Sequence, residues 1–388
     1  MRVLAADIGG TNSRFALYET DGLARGDAPR PHDRLCAVRL PTAGAASFAD
    51  LLRQAAAVEP GLFAPADGMP PALAVFAVAG PVRGGRRCAP PNIAWAVDLD
   101  DPALGAPAGV APGQPPLPPL PPVLLINDFV AQAYACLRPG VLDVLDVQDG
   151  VAVPDGAVAV VGAGTGLGKC LLLPPCQPGA PPRALPSEGG HALFPFTDER
   201  EMAFAAFIRA HTGRQVIGDL VVSGPGLRLL HAFHTGQWLE PAEVAARLVP
   251  ASGAGGEPGG KPGGGPGDAQ DKGVGQVRPQ ALSQVLSWFA RFYGRACRNY
   301  VLETLALGGL FIAGGVAAAV PALVTHPAFT EAFRQSGTHA NLLRGVPVRL
   351  VRSPDAGLLG AALYGALNGP PGTASKGGGA AARHADKE

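Results

Sequence analysis

Val3-Leu4-Ala5-Ala6-Asp7 runs through Ile8-Gly9-Gly10-Thr11-Asn12 into Arg14-Phe15-Ala16-Leu17, and the chain repeats this pattern once. The second copy runs from Ala157-Val158-Ala159-Val160-Val161 through Gly162-Ala163-Gly164-Thr165-Gly166-Leu167-Gly168 into Cys170-Leu171-Leu172-Leu173. Each copy reads as an apolar strand, a Gly/Thr loop and a second apolar strand. Glycine admits φ values that other residues resist, so backbone N–H groups can turn inward. A concave row of such groups, helped by threonine hydroxyls, binds phosphate oxygens. Either loop alone reads equally as an ordinary tight hairpin. Two of them in one chain point to two grips on one polyphosphate.

Two familiar nucleotide motifs come close and fail. The dinucleotide fingerprint needs glycine at its sixth position, but counting from Gly162 that position is Leu167, and a strand rather than a helix follows. A P-loop ending at Gly168-Lys169 would need glycine at 163 and Ser or Thr at 170, where Ala163 and Cys170 stand. Hairpin-type phosphate loops remain.

The 388 residues suffice for a large core or two domains. Lys plus Arg and Asp plus Glu are both 31, so the formal charge is zero. No nucleic-acid or anionic-membrane partner is expected, and small neutral partners are favoured. Cys36, Cys88, Cys136, Cys170, Cys176 and Cys297 form no C-x-x-C pair and no zinc spacing, and read as reduced thiols of a cytoplasmic protein. No signal peptide is expected, because Asp7 interrupts the first apolar run. Leu305 to Val324 is uncharged and about as long as the ~20 residues that span a bilayer. Its Gly308-Gly309, Gly314-Gly315 and Pro321 instead divide it into a buried strand, a turn and a short Ala/Val segment, so no membrane span is expected.

Outward from the loops, Ala103 to Pro122 is Pro-rich, Ser252 to Gly275 is mostly Gly, Pro and small polar residues, and the tail from Gly369 is Gly/Ala-rich. These are read as inserts and a disordered tail, unable to bury enough apolar surface to order themselves. Elsewhere strands are expected at 72–78, 123–126, 310–313 and 346–351. Helical periodicity appears over 202–210 and 282–305, where Leu282, Val285, Leu286, Phe289 and Phe292 share a face. Asp355 is the expected N-cap of a small-residue helix. This alternation indicates an α/β fold.

Seven motifs resemble, in order, those of the bacterial glucokinase family. They are Asp7-Ile8-Gly9-Gly10-Thr11-Asn12, Ile126-Asn127-Asp128-Phe129, Gly162-Ala163-Gly164-Thr165-Gly166-Leu167-Gly168, Glu188-Gly189-Gly190-His191, Ser223-Gly224-Pro225-Gly226-Leu227, Phe311-Ile312-Ala313-Gly314-Gly315 and Gly357-Leu358-Leu359-Gly360. The resemblance implies a two-domain actin-like ATPase (ribonuclease H-like) fold with an interdomain active-site cleft. The small domain would take 1–136, completed by 352–368, and the large one 137–351. It also implies ATP and Mg2+ as cofactors, glucose as the phosphoryl acceptor and ADP with glucose 6-phosphate as products. A kinase for another hexose, or a non-catalytic sugar sensor on the same fold, are the alternatives. Oligomeric state is left open, a homodimer included.

The residue types suit those roles. Asp128 ends a strand, where α/β proteins place catalytic groups, and a carboxylate there can take the proton of an attacking sugar hydroxyl. Read alone, Asn127-Asp128 is first a turn or helix cap. The resemblance makes Asp128 the catalytic base towards the 6-hydroxyl and Asn127 a ligand of neighbouring hydroxyls. It gives Glu188 and His191 the hydroxyls at the sugar's reducing end, for which carboxylate and imidazole offer paired hydrogen bonds. Asp7 at the mouth of the first loop would repel phosphate unless a cation intervenes, which points to magnesium held largely through water. Gly9, Gly10, Thr11 and Asn12 would face the terminal phosphates, Gly164, Thr165 and Gly166 the other side of the chain, and Gly314-Gly315 the adenosine. Asn92 with Trp95 also resembles a family motif near the sugar, Trp95 being read as packing. One position departs: four residues before Ser223 the family has glutamate as a further sugar ligand, and here stands Asp219.

Overall fold

The computed structural model describes residues 1–21, 33–104, 116–249 and 279–369. The insert 252–275, residues 105–115 of the Pro-rich insert and the tail from 370 lie outside the described residues. The chain divides into two units. One comprises Met1–Leu142, Gln177–Pro181 and Asp355–Glu388, the other Asp143–Cys176 and Pro182–Pro354.

The first unit contains β1 (Arg2–Ile8), β2 (Asn12–Glu19), β3 (Arg34–Pro41), β4 (Leu73–Val78), a small pair β5 (Arg87–Cys88) and β6 (Val97–Asp98), and β7 (Val123–Asn127). Its main sheet has the order β3-β2-β1-β4-β7. β1, β2 and β3 form an antiparallel meander, and β1, β4 and β7 run parallel. Every residue of β4 is buried, as its unbroken apolar run requires of a strand covered on both faces. Helix α1 (Phe48–Val58) starts at Ser47, whose side chain accepts the Asp50 N–H, and it buries Phe48, Leu51, Leu52 and Ala55 against Leu4, Phe15 and Phe76. Helix α2 (Asp128–Ala135) packs on the last helix, Ala356–Asn368. Asp355 holds the N-cap position of that last helix but makes no capping bond, because its carboxylate pairs with Arg34 at 2.5 Å.

Small residues in the last helix let backbones approach. A Cβ at Gly360 would lie 1.7 Å from the Ala131 carbonyl oxygen of α2. Gly360→Val is therefore expected to force the helices apart and cost about 3 kcal/mol or more, read as a lowered unfolding midpoint. An unchanged midpoint would overturn this packing.

The second unit repeats the arrangement with β8 (Val144–Gln148), β9 (Val158–Ala163), β10 (Leu167–Leu173), β11 (Arg183–Ser187), β12 (Gly309–Ala313) and β13 (Val348–Val351). The order is β11-β10-β9-β12-β13-β8. Again an antiparallel meander, β9-β10-β11, continues into parallel strands, β9-β12-β13, and β8 adds an antiparallel edge. Helices α3 (Glu199–Thr212), α4 (Gly224–Thr235), α5 (Pro279–Thr304) and α6 (Pro327–Arg334) accompany this sheet. Val285, Phe289 and Phe292 of α5 are fully buried, and Leu282 and Leu286 pack beside them. The stretch 305–324 contains β12 and the short helix Gly315–Ala319, and no helix among the described residues is long and apolar enough to cross a membrane.

Candidate active site

In parallel α/β sheets, groups beyond the carboxyl ends of the strands are exposed for chemistry. In the first unit Ile8 pairs with Val78 and Val78 with Asn127, so one row across three parallel strands carries the first glycine loop and Asn127-Asp128 on the same edge. Two strand spacings separate them, roughly 10 Å. Asn127 caps α2, its Oδ1 accepting the Phe129 N–H at 2.9 Å, and its amide donates to the Gly80 carbonyl at 3.0 Å. The cap reading of Asn127 is thus correct, and Asp128 opens the helix. In the first loop Gly9 N–H donates to the Asn12 carbonyl at 3.1 Å, and Asn12 Oδ1 accepts from Arg39 Nε at 3.1 Å. The buried Thr42 holds this loop from below. Its hydroxyl donates to the Gly9 carbonyl at 2.6 Å and lies 2.8 Å from the Ser13 hydroxyl, and its N–H donates to the Thr11 carbonyl at 3.1 Å. Trp95 is packing: it tilts against the Phe48 ring and donates to the Ala45 carbonyl at 2.9 Å.

Asp7 lies on β1 with its carboxylate against the start of the last helix, where a Cβ at Gly357 would come within 2.7 Å of Oδ2. Burial pushes its carboxyl above the usual range, Arg14 opposes that shift and Asp355 adds to it.

The second unit carries the other hairpin. Within it Gly164 N–H donates to the Gly166 carbonyl at 2.9 Å, and the Gly164 carbonyl accepts the Gly224 N–H, at the start of α4, at 2.8 Å. Ser223 of the Ser-Gly-Pro-Gly motif caps α4 by accepting the Gly226 N–H at 3.0 Å, and its hydroxyl donates to the Asp219 carbonyl. Asp219 Oδ1 accepts the Leu167 N–H at 2.9 Å. Glu188 and His191 flank a single 3-10 turn, Gly189–His191. His191 Nε2 stands 3.7 Å from Glu188 Oε2 and 3.9 Å from Asp219 Oδ2, so the three side chains converge. Glu188 and His191 are about half exposed, at 49% and 50%, which leaves them open to a ligand.

The loops do not use glycine in the way expected. Gly9, Gly10, Gly164 and Gly166 all avoid left-handed φ; among the site glycines only Gly314 adopts it, at +89°. What Gly10 and Gly166 supply is room: a Cβ would lie 3.0 Å from Asn92 Cβ at Gly10 and 2.6 Å from Asp219 Oδ2 at Gly166.

The family model described as Glucokinase matches residues 4–368. The chain belongs to the glucokinase family. A glucokinase of Stenotrophomonas maltophilia is 31% identical over 382 residues, covering 94% of this chain and 95% of that one. A glucokinase of Synechocystis is 30% identical over 371 residues, covering 94% and 97%. Among solved structures, the glucokinase from an Antarctic psychrotroph is 25% identical with a TM-score of 0.65, covering 93% of this chain and 98% of that one. The Balamuthia mandrillaris glucokinase, solved with glucose, shares the fold at 16% identity, with a TM-score of 0.66 and coverage of 94% and 93%. Membership makes the protein an ATP-dependent hexose kinase on the actin-like ATPase fold, whose duplicated topology accounts for the two glycine hairpins.

For a glucokinase the residues around Asp7 fit magnesium. Burial and Asp355 disfavour its charge, and a cation would restore it. Among the described residues no group of three His, Cys, Asp or Glu is placed to hold a metal. A single carboxylate beside phosphate oxygens suits an ion that keeps most of its waters, as magnesium does. Thr42 was not legible as part of this site. It lies 33 residues from Gly9 and reaches it only because β3 pairs with β2.

Proposed function

We propose that this glucokinase-family protein transfers the γ-phosphoryl group of ATP to the 6-hydroxyl of glucose. The observation that carries the reading is the row Ile8–Val78–Asn127, which sets a phosphate-type loop and a carboxylate on one sheet edge. Asp128 accepts the 6-hydroxyl proton as the oxygen attacks, and Asn127 orients neighbouring hydroxyls. Gly9, Gly10, Thr11 and Asn12 take the terminal phosphates, Gly164, Thr165 and Gly166 the rest of the phosphate chain, and Gly314-Gly315 the adenosine. Magnesium, when bound near Asp7, supplies positive charge to the phosphate oxygens. Glu188 and His191 hold the hydroxyls at the reducing end. Asp219 has one oxygen committed to Leu167 N–H, so its sugar contact runs through Oδ2 or a bridging water. Six free cysteines suit a cytoplasmic setting.

An ADP-release assay with glucose, mannose and N-acetylglucosamine tests this. Glucose is expected to give the highest kcat/KM. A higher value for another hexose would move the specificity, and sugar binding without ADP release would make the protein a sensor.

A further inference from the structure

Tyr293 of α5 is fully buried, and its hydroxyl sits where the ladder between β9 and β12 ends. It accepts the Ala163 N–H at 3.0 Å and makes a longer donor contact, 3.5 Å, to the Ala313 carbonyl. Ala163 is the last residue of β9 and Ala313 the last of β12, and Ala313 pairs with Gly162. The next residues along the two strands are Gly164 and Gly314, which open the phosphate loop and the adenosine loop of the functional reading above. Those loops already press together, since a Cβ at Gly314 would lie 2.5 Å from the Ala163 carbonyl oxygen. The hydroxyl therefore bonds to both loop entries at the point where main-chain pairing no longer sets their separation. Burial holds the phenol well above its usual range, so it stays protonated and able to donate.

We infer that Tyr293 is a positioning residue for the nucleotide: its hydroxyl sets the spacing of the phosphate and adenosine loops without touching the ligand. Neither loop sequence reveals this, because the hydroxyl comes from the middle of a helix 130 residues beyond Ala163. The inference rests on the kinase reading, since only a ligand that spans both loops senses their spacing. Removing the hydroxyl orphans a buried N–H and frees the loops to drift apart. Ground-state and transition-state nucleotide are gripped by the same loops, so the loss falls on ATP affinity more than on turnover.

Tyr293→Phe keeps the ring and its packing. It is expected to raise the ATP KM and the calorimetric Kd for ATP roughly tenfold, with the glucose KM within about twofold of wild type. Hydrogen exchange at the Ala163 amide should accelerate in the same variant. A merely structural role would lower the unfolding midpoint and leave the ratio of the two KM values unchanged, and that result would overturn the inference. Equal ATP Kd values in variant and wild type would overturn it as well. A wild-type protein that binds no ATP would instead overturn the kinase reading and this inference with it. Should Tyr293→Phe fold poorly, hydrogen exchange at the Ala163 amide of the wild-type protein decides: exchange that saturating ATP leaves unchanged would overturn the inference, and exchange slowed by ATP would support it.

Discussion

Asp128→Asn is expected to lower kcat by about two or more orders of magnitude while the protein stays folded and still binds glucose. The side chain opens α2 directly after the Asn127 cap, and an amide of the same shape leaves that cap intact. The amide cannot accept the hydroxyl proton, however, and a positioned general base contributes roughly 100-fold to 10,000-fold. On the proposed reading Asn127, Glu188 and His191 still hold the sugar, so the glucose KM should change little. Steady-state kinetics with calorimetric glucose binding on the same preparation checks this. Near-normal turnover in the folded variant would remove Asp128 from its role.

Glu201→Ala is expected to cost about 3–5 kcal/mol of stability, because it strands a buried guanidinium. Glu201 is fully buried and Arg295 is 2% exposed. Arg295 meets both carboxylate oxygens, at 2.6 and 2.9 Å, and also donates to the Pro195 carbonyl and the Thr197 hydroxyl. Burial alone would raise the Glu201 carboxyl, but the Arg295 hydrogen bonds and the Thr197 N–H outweigh it and hold the group below the usual range. A depressed folded value stabilises above the unfolded one, near about 4.3 for glutamate, and that stability is lost as pH falls through the folded value. Denaturant unfolding should therefore show the deficit at neutral pH. Glu201→Gln should flatten the part of the acid dependence below about pH 4.3 that belongs to this group. A deficit under about 1 kcal/mol would show that the unit relaxes around the free arginine.

Both glycine hairpins could be read from residue order alone, because a strand, a tight loop and a returning strand are local. The apolar runs and the turn residues between them mark out each hairpin within fewer than twenty positions. The α/β alternation, the buried strand that divides 305–324 and the apolar face of α5 were legible for the same reason. The role of the glycines was not. Sequence suggested φ freedom, whereas Gly10 and Gly166 answer to Asn92 and Asp219, neighbours brought in by folding. Thr42 under the first loop, Asp219 on Leu167 N–H, Tyr293 between β9 and β12, and the Glu201–Arg295 pair each join segments from 33 to 130 residues apart. A polar side chain in a sequence states only that it needs a partner when buried. Which partner it finds depends on how sheets and helices stack. That stacking is set by the packing of the whole core, which no local pattern encodes.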